Sequence, residues 1–144
     1  MTTVAFDGIS ICADTLITDG DAKAGYQSKI HRWTSGGVDH IASYAGHLTA
    51  CHVALSWIKE GMKKKSRPVW DYETDFEIIL IKNKEVWVMD ETFHLRPGYT
   101  PYTLGSGAAY ALAALHLGKS AREAVELAIK LDSGSGGEIN EEFI

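Results

Sequence analysis

Two apolar runs lying close together constrain this chain most. Phe76-Glu77-Ile78-Ile79-Leu80-Ile81 and Val86-Trp87-Val88-Met89 flank Asn83. A strand with one face in water alternates apolar and polar residues, whereas a nearly continuous apolar strand is covered on both faces. The pair therefore predicts a hairpin turning about Asn83 in the middle of a layered structure, and the rest of the chain must supply the layers above and below. Thr2-Thr3-Val4-Ala5-Phe6 is β-prone, and Ile9-Ser10-Ile11-Cys12-Ala13 returns with Ile9 and Ile11 alternating. Asp7-Gly8 between them is a strong two-residue turn signal. A polar stretch, Thr18-Asp19-Gly20-Asp21, precedes a second hairpin with strands over 27–33 and 38–44, a turn at Ser35-Gly36-Gly37, and an end at Gly46.

The helices are equally readable. Leu48, Cys51, Leu55 and Ile58 share one face of a segment over 47–60. Gly61 stops it, and Lys63, Lys64, Lys65 and Arg67 follow where positive charge complements the helix dipole. A strand over 99–104 leads through the pivot Gly105-Ser106-Gly107 into a small-residue helix over 108–117. Ser120-Ala121-Arg122-Glu123 is a capping box that opens a third helix, carrying Val125, Ala128, Ile129 and Leu131. That helix stops near Asp132, and Ser133-Gly134-Ser135-Gly136-Gly137 breaks it. The last seven residues receive no element. Strands, one helix, more strands and then two helices describe an antiparallel α+β layout, with helices covering sheets, rather than a βαβ succession.

Composition narrows the function. A chain of 144 residues, 45% apolar and 23% charged, fits one globular domain over 1–144. No stretch approaches the ~20 apolar residues of a membrane-spanning helix. The N-terminus lacks the basic and apolar regions of a signal peptide. Cys12 and Cys51 are too few for a disulfide framework and fit a reducing compartment, so a cytoplasmic location is expected. A net charge of −5 argues against nucleic acid as the main partner. The six histidines show no metal-binding spacing, and no metal or cofactor is expected. Gly105-Ser106-Gly107-Ala108-Ala109-Tyr110 lacks the third glycine of a dinucleotide fingerprint. Cys51 and His52 are helix neighbours about 100° apart, too divergent to share a proton, and Cys51 belongs to the apolar face.

One residue has distinctive chemistry. Removal of Met1 would give Thr2 a free α-amine beside its own hydroxyl. A threonine hydroxyl is a weak nucleophile until a base takes its proton, and an N-terminal amine can be that base. Its ordinary pKa, about 7.7–8.0, lies close to working pH.

Six segments in order, TTVAF at 2–6, CADTLIT at 12–18, QSKIHRW at 27–33, SYAG at 43–46, TLGSGAAYA at 103–111 and LDSGSGG at 131–137, resemble the proteasome β-subunit family of N-terminal-nucleophile hydrolases. That family includes the bacterial peptidase that works with an ATP-driven unfoldase ring. The resemblance implies a four-layer αββα sandwich, two antiparallel sheets between helix pairs, and a peptidase cleaving through an ester on Thr2. Asp14 matches the aspartate ending the second strand, Lys29 the lysine beneath the nucleophile, and Gly46 the residue whose N–H forms the oxyanion hole. Ser106 matches the serine near the amine, and Asp132 and Ser135 the aspartate and serine before the glycine pair. Thr18 matches a threonine whose backbone pairs with bound peptide. The side-chain pocket is then lined by Ile17, Gln27, His31, Tyr44 and Leu48, shallow because Tyr44 is bulky. Copies of the chain in a ring, polypeptide substrates and an ATP-dependent unfoldase are the implied partners.

Plainer alternatives exist residue by residue: a turn former at Asp14, surface charge at Lys29, a helix cap at Ser106, and helix-stop residues at Asp132 and Ser135. The alternative for the whole chain is a catalytically silent ring or scaffold protein on the same fold. The sequence departs from the family in a tighter first hairpin, a short tail after Gly137, a single lysine where a pair is common, and Met1 ahead of Thr2.

Overall fold

Local turn chemistry determines how the strands meet. The computed structural model describes residues 1–69 and 75–144. Strands β1 (Val4–Phe6) and β2 (Ser10–Ala13) pair with Phe6 opposite Ile11, which puts Gly8-Ile9 at the turn instead of Asp7-Gly8. Gly8 has φ 96°, the left-handed value that a first central turn position of this kind requires. Asp7 stays at the strand end, where Oδ1 accepts from the N–H groups of Ile9 and Ser10 at 2.8 Å each. Ile9 is consequently exposed while Ile11 is fully buried. The parity of the two strands survives this slip, because each pair moves by two positions along the partner.

The polar stretch Thr18-Asp19-Gly20-Asp21, for which the sequence predicts no element, holds the tip of the next hairpin. Strands β3 (Leu16–Asp19) and β4 (Ala22–Tyr26) form a two-stranded ribbon out of the polar stretch around Gly20-Asp21, with a bulge between Ile17 and Thr18. Strands β5 (Ile30–Ser35), starting three residues later than expected, and β6 (Val38–Gly46) turn at Gly36-Gly37. Helix α1 (Leu48–Lys59) follows, then a short 3-10 turn at Lys64–Ser66. Strands β7 (Phe76–Lys82) and β8 (Glu85–Asp90) form the expected central hairpin about Asn83-Lys84. Strands β9 (Leu95–Pro97) and β10 (Tyr102–Leu104), helices α2 (Ala108–His116) and α3 (Ala121–Leu131), and β11 (Asn140–Phe143) complete the order. The capping box on α3 is present in both directions between Ser120 and Glu123.

Every strand pairing among the described residues is antiparallel. Beside the two-stranded β3-β4 sheet, the order β10-β1-β2-β11 makes a four-stranded sheet and β5-β6-β7-β8-β9 a five-stranded one. The strand alternation sorts side chains into three interfaces. Val4, Phe6, Ile11, Ala13, Ile41, Ala45, Ile79 and Ile81 fill the space between the sheets. The opposite face of the larger sheet, with Ala42, Tyr44, Ile78 and Leu80, packs on Ala50, Cys51, Ala54, Leu55 and Ile58 of α1. Ala5 and Cys12 turn outward onto Ala111, Ala114, Ala124, Val125 and Ala128 of α2 and α3. The sandwich is therefore four-layered, as expected, but asymmetric among the described residues: a helix pair covers one sheet and the single helix α1 the other. The tail is also structured, since β11 pairs along β2 from Asn140 opposite Ala13 to Phe143 opposite Ser10. Among the described residues no helix is long and apolar enough to cross a membrane.

Candidate active site

The site forms where β1, the end of β2, the approach to β5, the end of β6 and the two turns around α2 and α3 converge. Asp14 follows β2 and is completely buried, and Lys29, just ahead of β5, is 1% exposed. Two charges this far from water persist only if paired and fully hydrogen-bonded. Lys29 Nζ donates to Asp14 Oδ1 at 2.7 Å. The same oxygen accepts from the Thr3 N–H at 3.0 Å, and Oδ2 accepts from the Gly136 N–H at 3.0 Å. Burial pushes the Lys29 ammonium below the ordinary lysine range, with Asp14 and Asp132 pulling the other way.

The same Lys29 ammonium also reaches the start of the chain. Lys29 Nζ donates to the Met1 carbonyl oxygen at 3.3 Å, and Thr2 Oγ1 donates to that same oxygen at 2.7 Å. The Met1 ammonium donates to Thr18 Oγ1 at 2.8 Å. Burial and the nearby Lys29 push this amino group below its ordinary pKa. Thr2 itself is 5% exposed.

A second network holds the Thr2 N–H and the Thr3 hydroxyl. The Thr2 N–H donates to Ser106 Oγ at 3.3 Å, and Ser106 Oγ donates to Asp132 Oδ2 at 2.6 Å. Ser135 Oγ donates to the same carboxylate oxygen at 2.6 Å, which leaves its own lone pairs for Thr3 Oγ1, also 2.6 Å away. Burial works against the Asp132 carboxylate, but the two hydroxyls and the Gly134 N–H hold it below the usual range. Ser106 does not cap α2: the cap position is Gly107, and no side chain bonds there. Asp132 caps the end of α3 while serving this network.

Two glycines permit the close approaches. Gly46 ends β6 at φ 111°, and a Cβ there would meet the Asp75 carbonyl oxygen at 2.5 Å. Gly105 presses directly on the Thr2 backbone, leaving no room for a side chain.

Thr2, Thr18 and Gly46 line two cavities. One, about 860 Å³, extends past Ser106 toward Asp90, Glu91 and Arg96. The other, about 290 Å³, is lined by Ile17, Tyr44, Leu48 and Lys29. Gln27 and His31 do not line it; they stand behind Tyr44, Gln27 bonding its hydroxyl and His31 stacking on its ring. The structure thus brings Thr2, Asp14, Lys29, Gly46, Ser106, Asp132, Ser135, Thr18, Ile17, Tyr44 and Leu48 to one place. Thr3 is the member that sequence reading passed over. Its hydroxyl lies 2.6 Å from Ser135 Oγ, a contact that no sequence motif announces. Chemically the arrangement offers a hydroxyl next to an ammonium, a short proton-relaying chain to a carboxylate, and an open cavity on either side.

No protein-family model matches the sequence, and neither does any curated protein. The solved structures do match. HslV from Trypanosoma brucei superposes with a TM-score of 0.72 at 16% identity, covering 99% of this chain and 97% of that one. The fold is that of HslV. Thiobacillus denitrificans BPH, solved in complex with epoxomicin, gives 0.71 at 19% identity over 99% and 98%. The Gly-1 mutant of Anbu from Hyphomicrobium sp. strain MC1 gives 0.76 at 14% identity over 100% of this chain and 82% of that one. The proteasome-like expectation for the architecture holds at identities too low to carry activity with it. Among the described residues no three His, Cys, Asp or Glu side chains converge on a possible metal position.

Proposed function

We propose that this protein is an N-terminal threonine peptidase, cleaving polypeptides with Thr2 after removal of Met1. The observation that supports this reading best is the meeting of Thr2 Oγ1 and the buried, Asp14-paired Lys29 ammonium on one carbonyl oxygen. Surface charge does not explain a fully buried lysine that shares an acceptor with the Thr2 hydroxyl. With Met1 gone, both donors face the cavity in which a substrate carbonyl would sit.

The freed Thr2 amine takes the Oγ1 proton, directly or through a water, while Lys29 favours the alkoxide. Oγ1 attacks the substrate carbonyl carbon, and the oxygen that gains charge is received by the Gly46 N–H. The C–N bond breaks, the departing amine takes the proton held at the Thr2 nitrogen, and an ester remains on Thr2. Water, deprotonated by the same amine, then attacks the ester and restores the hydroxyl. Ser106, Ser135 and Asp132 hold the amine in place. Thr18 on β3 offers its backbone to an extended peptide. The reading includes assembly of copies into a ring in the cytoplasm, which keeps such a site away from folded proteins, and an ATP-dependent unfoldase as the feeding partner.

The neighbour solved with epoxomicin suggests the probe. Trimmed protein incubated with epoxomicin should gain one adduct on residue 2, located by peptide mass spectrometry, and Thr2→Ala should fold normally, gain no adduct and cleave no peptide. Cleavage by the Ala variant at the unaltered rate would rule Thr2 out as nucleophile. The second reading, a silent ring or scaffold protein, is favoured by the Met1 amide seated over the site. It takes over if fully trimmed protein neither cleaves nor reacts.

A further inference from the structure

Where α1 ends, the sheet face beneath it continues for one more row. Trp33 on β5 stands directly opposite His40 on β6, and His40 directly opposite Lys82 on β7. Residues so placed share one face of a sheet, with Cβ atoms about 5 Å apart. By the two-residue period this is the face that Ala42, Tyr44, Ile78 and Leu80 turn toward α1. Lys59, the last residue of α1, holds its ammonium 5.3 Å from the centre of the Trp33 ring. The row and the helix end enclose a cavity of about 260 Å³, completed by Met62 and by turn glycines Gly36 and Gly61.

The charges on this lining have one sign. Lys59, Lys82 and His40 belong to it, and among the described residues no carboxylate does. The chain as a whole has a net charge of −5, and the cavity beside Thr2 has Asp75, Glu77, Asp90 and Glu91 on its wall. Among the described residues no ion pair engages Lys59 or Lys82. Glu85 stands opposite Lys82 on β8 but is off the lining. The indole holds Lys59 by its ring face, which leaves the ammonium N–H groups to donate elsewhere. His40 is equally fixed. It is 9% exposed and stacks on Trp33 at 5.1 Å between centroids, 14° from parallel. Its Nδ1 lies 2.9 Å from the Val38 carbonyl oxygen, which can only accept, so Nδ1 carries a proton and Nε2 is the nitrogen left for a ligand. As an imidazolium His40 becomes a third cationic donor. Like charges directly opposite on a sheet repel, so His40 and Lys82 favour an anion beside them.

We propose that this cavity binds a phosphate group, with Lys59, Lys82 and the His40 imidazolium donating to its oxygens and Trp33 as the wall behind it. A phosphate offers three strong acceptor oxygens and close to two negative charges, which matches donors arriving from α1, β6 and β7. A carboxylate, with two oxygens and one charge, leaves a donor unserved. Lys63, Lys64 and Lys65, all exposed, follow Met62 directly and add positive potential that draws an anion in. The site does not depend on the peptidase reading: it lies at the C-terminal end of α1, whereas Gly46 precedes the start of that helix.

Isothermal titration of the full-length protein at constant ionic strength tests this. The probes are inorganic phosphate, adenosine monophosphate and, as a dicarboxylate of matched charge, malonate. Inorganic phosphate should bind once per chain with a submillimolar Kd, and malonate about tenfold more weakly or less tightly still. Adenosine monophosphate binding as tightly as phosphate assigns the site to phosphate esters, and weaker binding assigns it to the free ion; both uphold phosphate recognition. Lys59→Gln and Lys82→Gln should each weaken phosphate by about tenfold. The double variant Lys64→Gln/Lys65→Gln, off the lining, should weaken it by less than about threefold, the loss of steering charge alone. In NMR spectra the His40 ring resonances should move to the imidazolium position as phosphate saturates. The absence of saturable binding at millimolar phosphate overturns the proposal. So does malonate binding as tightly as phosphate, an equal loss in the Lys64/Lys65 variant and the cavity variants, or His40 resonances that stay in place at saturation.

Discussion

Asp14 and Lys29 show what one buried pair commits a fold to. Each of the Asp14 oxygens serves a different part of the chain, and Lys29 is the charge that makes those bonds worth keeping. Asp14→Asn leaves the lysine charge buried without its partner, and urea unfolding at pH 7 should show a loss of about 3–5 kcal/mol. Adding Lys29→Met should recover much of that stability, because replacing both charges removes the uncompensated one. It should recover no peptide cleavage. Asp132 makes a separate prediction through pH. Its carboxylate is held below the ordinary range by Ser106, Ser135 and the Gly134 N–H against the opposing effect of burial. Its contribution to stability is therefore complete above the ordinary carboxylate pKa, near 3.9, and is lost as pH falls through the lowered folded value. Asp132→Asn should flatten the acid limb of stability below about pH 4 in a urea series, and a limb of unchanged steepness would remove the carboxylate from this role. The sequence suggested these residues as a set because they fall in recognisable motifs. It did not show that Thr3 joins them, since a threonine in a β-prone run looks like any other strand residue until its hydroxyl is seen 2.6 Å from Ser135.

Elements were legible wherever the hydrophobic period was strong and obscure where pairing alone decides. The central hairpin, α1 and α3 follow from apolar spacing and a capping box. The β3–β4 ribbon has mostly exposed side chains, so no burial pattern announces it; only Gly20-Asp21 hints at the turn. The strand β11 is Asn-Glu-Glu-Phe, a poor strand sequence, and it forms because β2 offers an open edge and because Glu141 finds partners there. Glu141 Oε2 accepts from Ser10 Oγ at 3.0 Å and from Cys12 Sγ at 3.2 Å, while Arg122 of α3 bonds Oε1 at 3.2 Å. Burial and this carboxylate push the Cys12 thiol up to about 12, and burial alone takes Cys51 to about 12. Neither thiol should react with iodoacetamide in the native protein at pH 8, because the thiolate is the reactive form. Deleting residues 138–144 strips the edge from β2 and should make Cys12 alone alkylate, read by peptide mass spectrometry. Equal labelling of Cys51 would mean that the deletion unfolds the whole sandwich rather than uncovering one strand.

At the scale of the whole molecule the site is a meeting of distant segments, and Met1 touches several of them at once. Its ammonium rests on Thr18, its carbonyl takes the Thr2 hydroxyl and the Lys29 ammonium, and its side chain packs against Gly134. The layered architecture was readable because two apolar runs demanded cover on both sides. Its asymmetry was not, because one helix of twelve residues suffices to cover the inner strands of the larger sheet. The seating of Met1 could not be read either, since it depends on how closely Gly105 and the turn after α3 approach the chain start. In this state the nitrogen of Thr2 is an amide, with no basicity to accept the Oγ1 proton, and the Met1 carbonyl occupies the two donors that a substrate carbonyl would face. The protein carrying Met1 should therefore be inert however well the rest is arranged. Treatment with a methionine aminopeptidase should switch on peptide cleavage in proportion to the fraction of chains shortened by one methionine, as measured by intact mass. Activity at full strength in untrimmed protein would show that the Thr2 amine is not the base. Activity absent at complete trimming would leave the fold to a scaffold.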